Sequence, residues 1–204
     1  MAKSNSNAVE GVAGLVLAAG GSSRFGSTNK LLAPLHGRPL LEHALQTMAS
    51  AGLASVTCVL GSGAAQIMKQ IDLRGTIPLV CTDWAEGQSA SLRAGIKALR
   101  ASDAVVITLG DQPLISAEAI SRVVTSRSPD TPVVQAEYAG IPGHPVLLEH
   151  ELFPSLIRVR GDRGARDLIA QTARRLVRCD GLGSPRDVDT PAELEAVAEV
   201  ITRR

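Results

Sequence analysis

Residues 104–113 read AVVITLGDQP, the strongest strand signal in the chain. An uncharged apolar and β-branched run stops at Gly110-Asp111-Gln112-Pro113. Such a run, bounded by turn residues, predicts a strand buried on both faces. Toward the N-terminus, SASLRAGIKALRA (89–101) spaces Leu92, Ile96 and Leu99 along one helical side. Before it come a strand in IPLVC (77–81), a helix in SGAAQIMKQI (62–71) and a strand in SVTCVL (55–60). Further back, Pro39 suits the first turn of a helix in LLEHALQTMASAG (40–52), closed by Gly52, and AGLVLA (13–18) reads as the first strand. Toward the C-terminus, Ser116 caps a helix in SAEAISRVV (116–124). Strands in TPVVQAEY (131–138) and HPVLL (144–148) bracket a Gly-rich link, AGIPG (139–143). LFPSL (152–156) and ARDLIAQTA (165–173) are helical, RLVRC (175–179) is a late strand, and Thr190 caps a final helix in PAELEAVAEVIT (191–202).

The alternation of strand and helix predicts an α/β, doubly wound, mainly parallel sheet. The length of 204 residues suits a single domain over 11–204, with residues 1–10 (MAKSNSNAVE) as a flexible tail. Hydrophobic residues at 45% are enough for an ordinary core. Lys and Arg total 21 against 20 Asp and Glu, a balance that exerts no general pull on nucleic acid or anionic membrane. Aromatics are only 2%, which disfavours single-strand binding by base stacking. Cys58, Cys81 and Cys179 form no C-x-x-C and are expected as buried small hydrophobes in a reducing compartment. The four histidines make no metal-binding spacing. No apolar run has the ~20 residues of a membrane span. GVAGLVLAAGG (11–21) has the look of a signal-peptide core, but Glu10 abuts it and cleavage would remove the first strand, so a cytoplasmic location is expected.

In doubly wound sheets ligands bind beyond the carboxyl ends of the strands. Two loops stand there. Residues 19–30 carry Gly20, Gly21 and Gly26 with Ser22, Ser23, Arg24 and Lys30. Glycines admit a phosphate close to backbone N–H groups, and the cations supply charge. The alternative is a Gly/Ser connector with two solvated cations. Neither G-x-x-x-x-G-K-[ST] nor G-x-G-x-x-G is present in this loop. In the second loop, Asp111 is either a turn aspartate beside Pro113 or a Mg²⁺ anchor. Asp187 and Asp189 precede the last helix; with Thr190 as the cap, Asp189 is left to serve as a second metal ligand. Together these residues suggest a nucleoside triphosphate on loop 19–30 and one metal at Asp111 and Asp189. No general base stands out, which fits a nucleophile that is already anionic, such as a phosphate monoester with a second pKa near ~6.

LVLAAGGSSRFGSTNKLLAPLHGRPLLEHAL resembles the opening of the molybdenum cofactor nucleotidyltransferases, and within them the cytidylyltransferase branch. The likeness continues through EGQSASLRAGI, GDQP, GHPVLLEHELFPSL, GDRGAR and DVDTPAEL, in order, over nearly the whole chain after residue 12. The resemblance implies a Rossmann-like three-layer fold of the nucleotide-diphospho-sugar-transferase type. It implies transfer of CMP from CTP to the terminal phosphate of molybdenum-bound molybdopterin, with Mg²⁺, giving the cytosine dinucleotide and pyrophosphate for a recipient molybdenum enzyme. By position it implies Leu17, Ala18, Ala19 and Gly20 as the nucleotide cradle, and Arg24 and Lys30 as catalytic cations near the phosphates. Asp111 and Asp189 fall at metal positions, Ser89 and Ser91 near base and ribose, and His144, Asp162, Arg163 and Arg166 on the pterin side. Phe25 and Gln88 depart from the family's usual Met and Leu or Met.

Other functions stay open beside this one. A guanylyltransferase would use the same scaffold, although Ala18-Ala19-Gly20 resembles the cytidine branch. One resembling branch is assigned to reduction of a pigment in alkaloid breakdown, which suggests an NAD(P)H-dependent oxidoreductase. A carrier or insertion chaperone would have no need of an aligned Lys30 and Asp111.

Overall fold

The computed structural model describes residues 9–22, 24–26, 28–161 and 164–203. The tail expected over 1–10 therefore lies outside the described residues as far as residue 8. Strand β1 (Val12–Ala18) forms where AGLVLA predicts it. Val12 and Val16 pack into one apolar cluster, Ala13 and Leu15 into the other, so the strand is buried on both faces. A small hairpin follows, β2 (Pro34–Leu35) with β3 (Arg38–Pro39), and then α1 (Leu40–Ala49). Pro39 is the N-cap residue of α1 rather than its first turn. Next come β4 (Ser55–Leu60), α2 (Ala64–Gln70), β5 (Ile77–Val80), α3 (Gln88–Ala98), β6 (Ala104–Leu109) and α4 (Ala117–Thr125).

The second half differs from the expectation at one place. Strand β7 (Val133–Tyr138) turns through only Ala139 and Gly140, both at positive φ (50° and 83°), into β8 (Ile141–Glu149). The link expected over 139–143 is thus a two-residue hairpin turn, and Ile141–Gly143 belong to the strand. The chain ends with α5 (Phe153–Leu156), α6 (Gly164–Gln171), β9 (Arg174–Arg178) and α7 (Pro191–Thr202). Thr190 caps α7 in a reciprocal capping box with Glu193.

The main sheet has seven strands in the order β5-β4-β1-β6-β8-β7-β9. Among the described residues only β8 runs against the rest. Helices α1, α2 and α4 cover one face, α3, α5 and α6 the other. A third cluster packs α7 against the small hairpin and the start of α1 through Val197, Leu35 and Leu40. All three cysteines are buried and free. No helix of the described residues is long and apolar enough to cross a membrane.

The strand order places the site. From β1 the chain steps outward to β4 and β5, then returns to lay β6 on the other side of β1. That reversal opens a crevice at the carboxyl ends of β1 and β6. Register is tight there: Leu17 pairs with Leu109, and Gly110 N–H donates to the Leu17 carbonyl at 2.9 Å. Residues 19–21 and Asp111 therefore leave the sheet side by side.

Candidate functional site

Gly110 is a glycine for a packing reason. A Cβ there would lie 2.8 Å from Leu41 Cδ1 and 2.9 Å from Ala18 Cβ. The close approach brings Asp111 directly beside the end of β1. The polar segment 183–189 is laid over the β6 exit: Ser184 N–H donates to the Leu114 carbonyl and Val188 N–H to that of Asp111, at 3.3 and 3.0 Å. Asp189 thereby reaches loop 19–30. That loop is folded on itself, with Ser22 Oγ donating to Asn29 Oδ1 at 3.2 Å and Lys30 N–H donating to Ser22 Oγ at 3.3 Å.

The Lys30 ammonium sits between two carboxylates, 2.6 Å from Asp111 Oδ2 and 2.7 Å from Asp189 Oδ1. Arg24 donates to the other oxygen of Asp189 at 2.7 Å. Burial alone would lower the Lys30 pKa; Asp111 and Asp189 outweigh it and leave the pKa raised. The hydrogen bond from Lys30 holds the Asp189 carboxyl below its ordinary range. Asp187 moves the other way, pushed up by burial and by the charge of Asp111. Asp111 Oδ1 is buried and has no hydrogen-bond partner. An orphaned carboxylate oxygen beside a second carboxylate suits a hard divalent cation, which commonly takes one or two protein carboxylates and completes its shell with phosphate and water. Among the described residues no group of three or more His, Cys, Asp or Glu could hold a metal.

Three cavities line up along this edge and share Leu17. The first, about 220 Å³, is lined by Leu17, Ala18, Gly20, Arg24, Lys30, Asp111 and Asp189 among others. Nothing lies within 4 Å of where a Cβ on Gly20 would stand, so its backbone faces open space. The second, about 330 Å³, is walled by Ala19, Trp84, Gln88 and Ser91. The third, about 420 Å³, has His144, Arg166, Gln112 and Asp187 among largely apolar neighbours. Burial and the nearby Arg166 charge push the His144 pKa down to about 4, so its imidazole is neutral at pH 7. Ser89 and Ser91 are separated: Ser91 lines the second cavity, whereas Ser89 lines the third and accepts from Arg93 at 3.3 Å. Asp162 and Arg163 lie outside the described residues, as do Ser23 and Ser27.

A family model, the MobA-like NTP transferase domain, matches residues 14–176. The chain belongs to the MobA-like NTP transferase family. The molybdenum cofactor nucleotidyltransferase likeness of the motifs is thus a family membership, and the domain is of the nucleotidyltransferase class. Within reach of this MobA-like chain is the nicotine blue oxidoreductase of Paenarthrobacter nicotinovorans, 32% identical over 90% of the chain and 94% of that protein. The purine catabolism protein PucB of Bacillus subtilis (strain 168) is 29% identical over 93% and 97%. The crystal structure of Rv0371c from Mycobacterium tuberculosis H37Rv superposes with a TM-score of 0.82 at 30% identity, covering 92% of this chain and 97% of that one. Its complex with manganese gives 0.80 at 29%, covering 92% and 98%. The nucleotide-diphospho-sugar-transferase type of sheet expected from the MobA-like motifs is the one observed.

Sequence reasoning passed over four residues of this edge or assigned them no role: Trp84, Arg93, Gln112 and Asp187. Gln112 Nε2 donates to Asp187 Oδ1 at 2.7 Å and to the Pro185 carbonyl at 2.9 Å, fastening the C-terminal segment to the β6 exit. The available signal was an amide side chain directly after Asp111 in the turn that ends the strongest strand. Arg93 gave none, since it reads as the polar side of an amphipathic helix.

Proposed function

We propose that this chain transfers CMP from CTP to the terminal phosphate of molybdenum-bound molybdopterin, forming molybdopterin cytosine dinucleotide and pyrophosphate. The observation that carries the proposal is the Lys30 ammonium shared by Asp111 and Asp189 at the mouth of a glycine-lined cleft. The acceptor phosphate is largely dianionic at pH 7, with a second pKa near ~6, and attacks without a base. One oxygen–phosphorus bond forms at the α-phosphorus, the bridging bond to the β-phosphate breaks, and pyrophosphate leaves with the electron pair.

The protein's part is positioning and charge. Backbone N–H groups of Ala19, Gly20 and Gly21 and the Arg24 and Lys30 cations hold the triphosphate. The charges of Arg24, Lys30, Asp111 and Asp189 cancel, so the cluster alone is a poor partner for a polyanion. Mg²⁺ held by Asp111 and Asp189 supplies the missing positive charge when bound. The manganese complex of Rv0371c supports a divalent cation in this family. His144 and Arg166, with Asp162 and Arg163, are assigned to the acceptor, which fits the third cavity's neutral imidazole and neighbouring cation. Ala19 lines the second cavity where the guanylyl branch resembles a glycine, and the added side chain there is read as favouring a pyrimidine over a purine. The reaction is assigned to the cytoplasm, with a recipient molybdenum enzyme taking the product.

The test is incubation with labelled CTP or GTP, Mg²⁺ and molybdenum-loaded molybdopterin, scoring pyrophosphate. CTP should be preferred, and Asp111→Ala should cut the rate ~10²–10³-fold while the fold is kept. An Asp111→Ala enzyme with full activity and unchanged Mg²⁺ dependence refutes the assignment. The 32% identity to nicotine blue oxidoreductase supports a second reading, reduction of a pigment by NAD(P)H. Oxidation of NAD(P)H with no pyrophosphate release from any nucleotide would select it.

A further inference from the structure

We infer that Trp84 is the wall on which the nucleobase lies, an inference that rests on the nucleotidyl-transfer reading above. Trp84 is the chain's one tryptophan. It opens a short 3₁₀ turn, Trp84–Glu86, between β5 and α3. It lines the 330 Å³ cavity with Ala19, Gly21, Gln88 and Ser91, and it provides that cavity's one aromatic face. Two glycines make room for it. A Cβ on Gly61 would stand 2.6 Å from Trp84 Cβ, and one on Gly21 would stand 3.3 Å from Trp84 Cζ3. The indole therefore lies against the backbone of the loop that faces the first cavity.

Its turn is braced from behind. Arg93, only 8% exposed, donates to Glu86 at 2.8 Å, to the Val159 carbonyl at 2.9 Å and to Ser89 Oγ at 3.3 Å. Holding the turn this way fixes the indole before any ligand arrives, and a pre-placed planar face costs a ligand little ordering. The two cavities also divide by chemistry. Arg24 and Lys30 line the first and not the second, where Asp111, at the shared boundary, is the one charged residue among the described ones. A ligand with an anionic chain at one end and a flat heteroaromatic ring at the other fits this division, ring toward Trp84. Stacking on an aromatic side chain tolerates different bases because each has a π-face, so Trp84 holds a base and Ala19 limits its size.

With Mg²⁺ present throughout, the full chain is titrated with CTP and, separately, with tripolyphosphate, following both heat and tryptophan fluorescence. CTP should change the Trp84 emission and tripolyphosphate should leave it nearly unchanged. Trp84→Leu should weaken CTP on the order of tenfold, the scale of one stacked base, without altering tripolyphosphate affinity. Trp84→Phe should retain most of the CTP affinity, and it keeps an aromatic face should the leucine variant fail to fold. Equal weakening of CTP and tripolyphosphate in Trp84→Leu would make the residue only a brace for the loop and overturn the inference. CTP heat in the wild type without any emission change, and with normal CTP affinity in both variants, overturns it as well while sparing the nucleotide reading. A wild type that binds no nucleoside triphosphate at all overturns both.

Discussion

Replacing Lys30 by methionine keeps the length and apolar stem of a side chain that is 10% exposed, and removes the charge shared by Asp111 and Asp189. Asp189 keeps Arg24 at 2.7 Å, so Asp111 is the stranded group. Breaking a buried ion pair commonly costs ~3–5 kcal/mol. The Asp111 side chain is 19% exposed, which moves the expectation toward the lower end, about 2–3 kcal/mol. Protonation sets a ceiling. At pH 7 an aspartate with an ordinary pKa near ~3.9 can be neutralised for about 4 kcal/mol, and at pH 5 for about 1.5 kcal/mol. The penalty should therefore shrink as pH falls from 7 to 5. In the wild type, the depressed Asp189 pKa contributes stability that is lost only as pH falls through its folded value, below the ordinary carboxylate range. The raised Lys30 pKa contributes stability lost only as pH rises through its folded value, above 10.5. Neither titrates between 5 and 7; Asp187, raised by burial and by Asp111 and held back by Lys30, moves further up in the variant, so its protonation adds to the narrowing there. Urea unfolding in chelator-containing buffer at both pH values measures it, and at pH 7 Tm should drop by about 5–10 °C. Lys30→Met/Asp111→Asn should recover most of the loss. An equal penalty at pH 7 and pH 5, or no penalty at pH 7, refutes the argument from a stranded carboxylate.

Three further outcomes follow from individual contacts. Thr190→Ala removes the acceptor for Glu193 N–H and half of the capping box, and should cost about 1 kcal/mol of unfolding free energy in denaturant titration. Gly95→Ala, in the middle of α3, puts a methyl 2.6 Å from the fully buried Leu15 Cδ1; overpacking should outweigh the helix-propensity gain and leave a loss of about 1–2 kcal/mol, and a stabilised variant would show that Leu15 has room to move. Arg166→Ala should weaken acceptor binding and spare CTP in paired titrations, and should let the His144 pKa, held near 4 by burial first and by Arg166 second, rise modestly in an NMR titration.

Which residues gather at the candidate cleft was partly legible, but their connections were not. Asp111 stood out because a carboxylate lies one glycine beyond an apolar strand, where a parallel sheet exposes its ligand-binding edge. Lys30 and Arg24 stood out because they share a loop with glycines. That Lys30 bridges Asp111 and Asp189 rather than facing solvent was not readable, since the partners are 81 and 159 residues away. Nor was the separation of Ser89 from Ser91 on one helix turn, which depends on α3 leaning between two cavities. Trp84 went unread because a lone aromatic after a strand carries no pattern; its meaning comes from Gly21 and Gly61, which yield space to it.

Most of the main-sheet strands, the helices and the Ser116 and Thr190 caps were readable from the chain, because those depend on local periodicity and on side chains a few residues apart; the hairpin at 34–39 and the start of β8 were not. Val12 and Val16 against Ala13 and Leu15 show this period-two logic, as does the reciprocal Thr190–Glu193 cap. The chain also determined which loops would share one edge, because parallel β-α units leave every such loop at the same end of the sheet. The tertiary structure alone decided the strand order β5-β4-β1-β6-β8-β7-β9, the two-residue turn at Ala139–Gly140 and the charge network. Those depend on which surfaces meet after the chain doubles back, and on burial. An ammonium between two carboxylates gains its strength from being out of water, and how far it is out of water is set by segments far away in the chain.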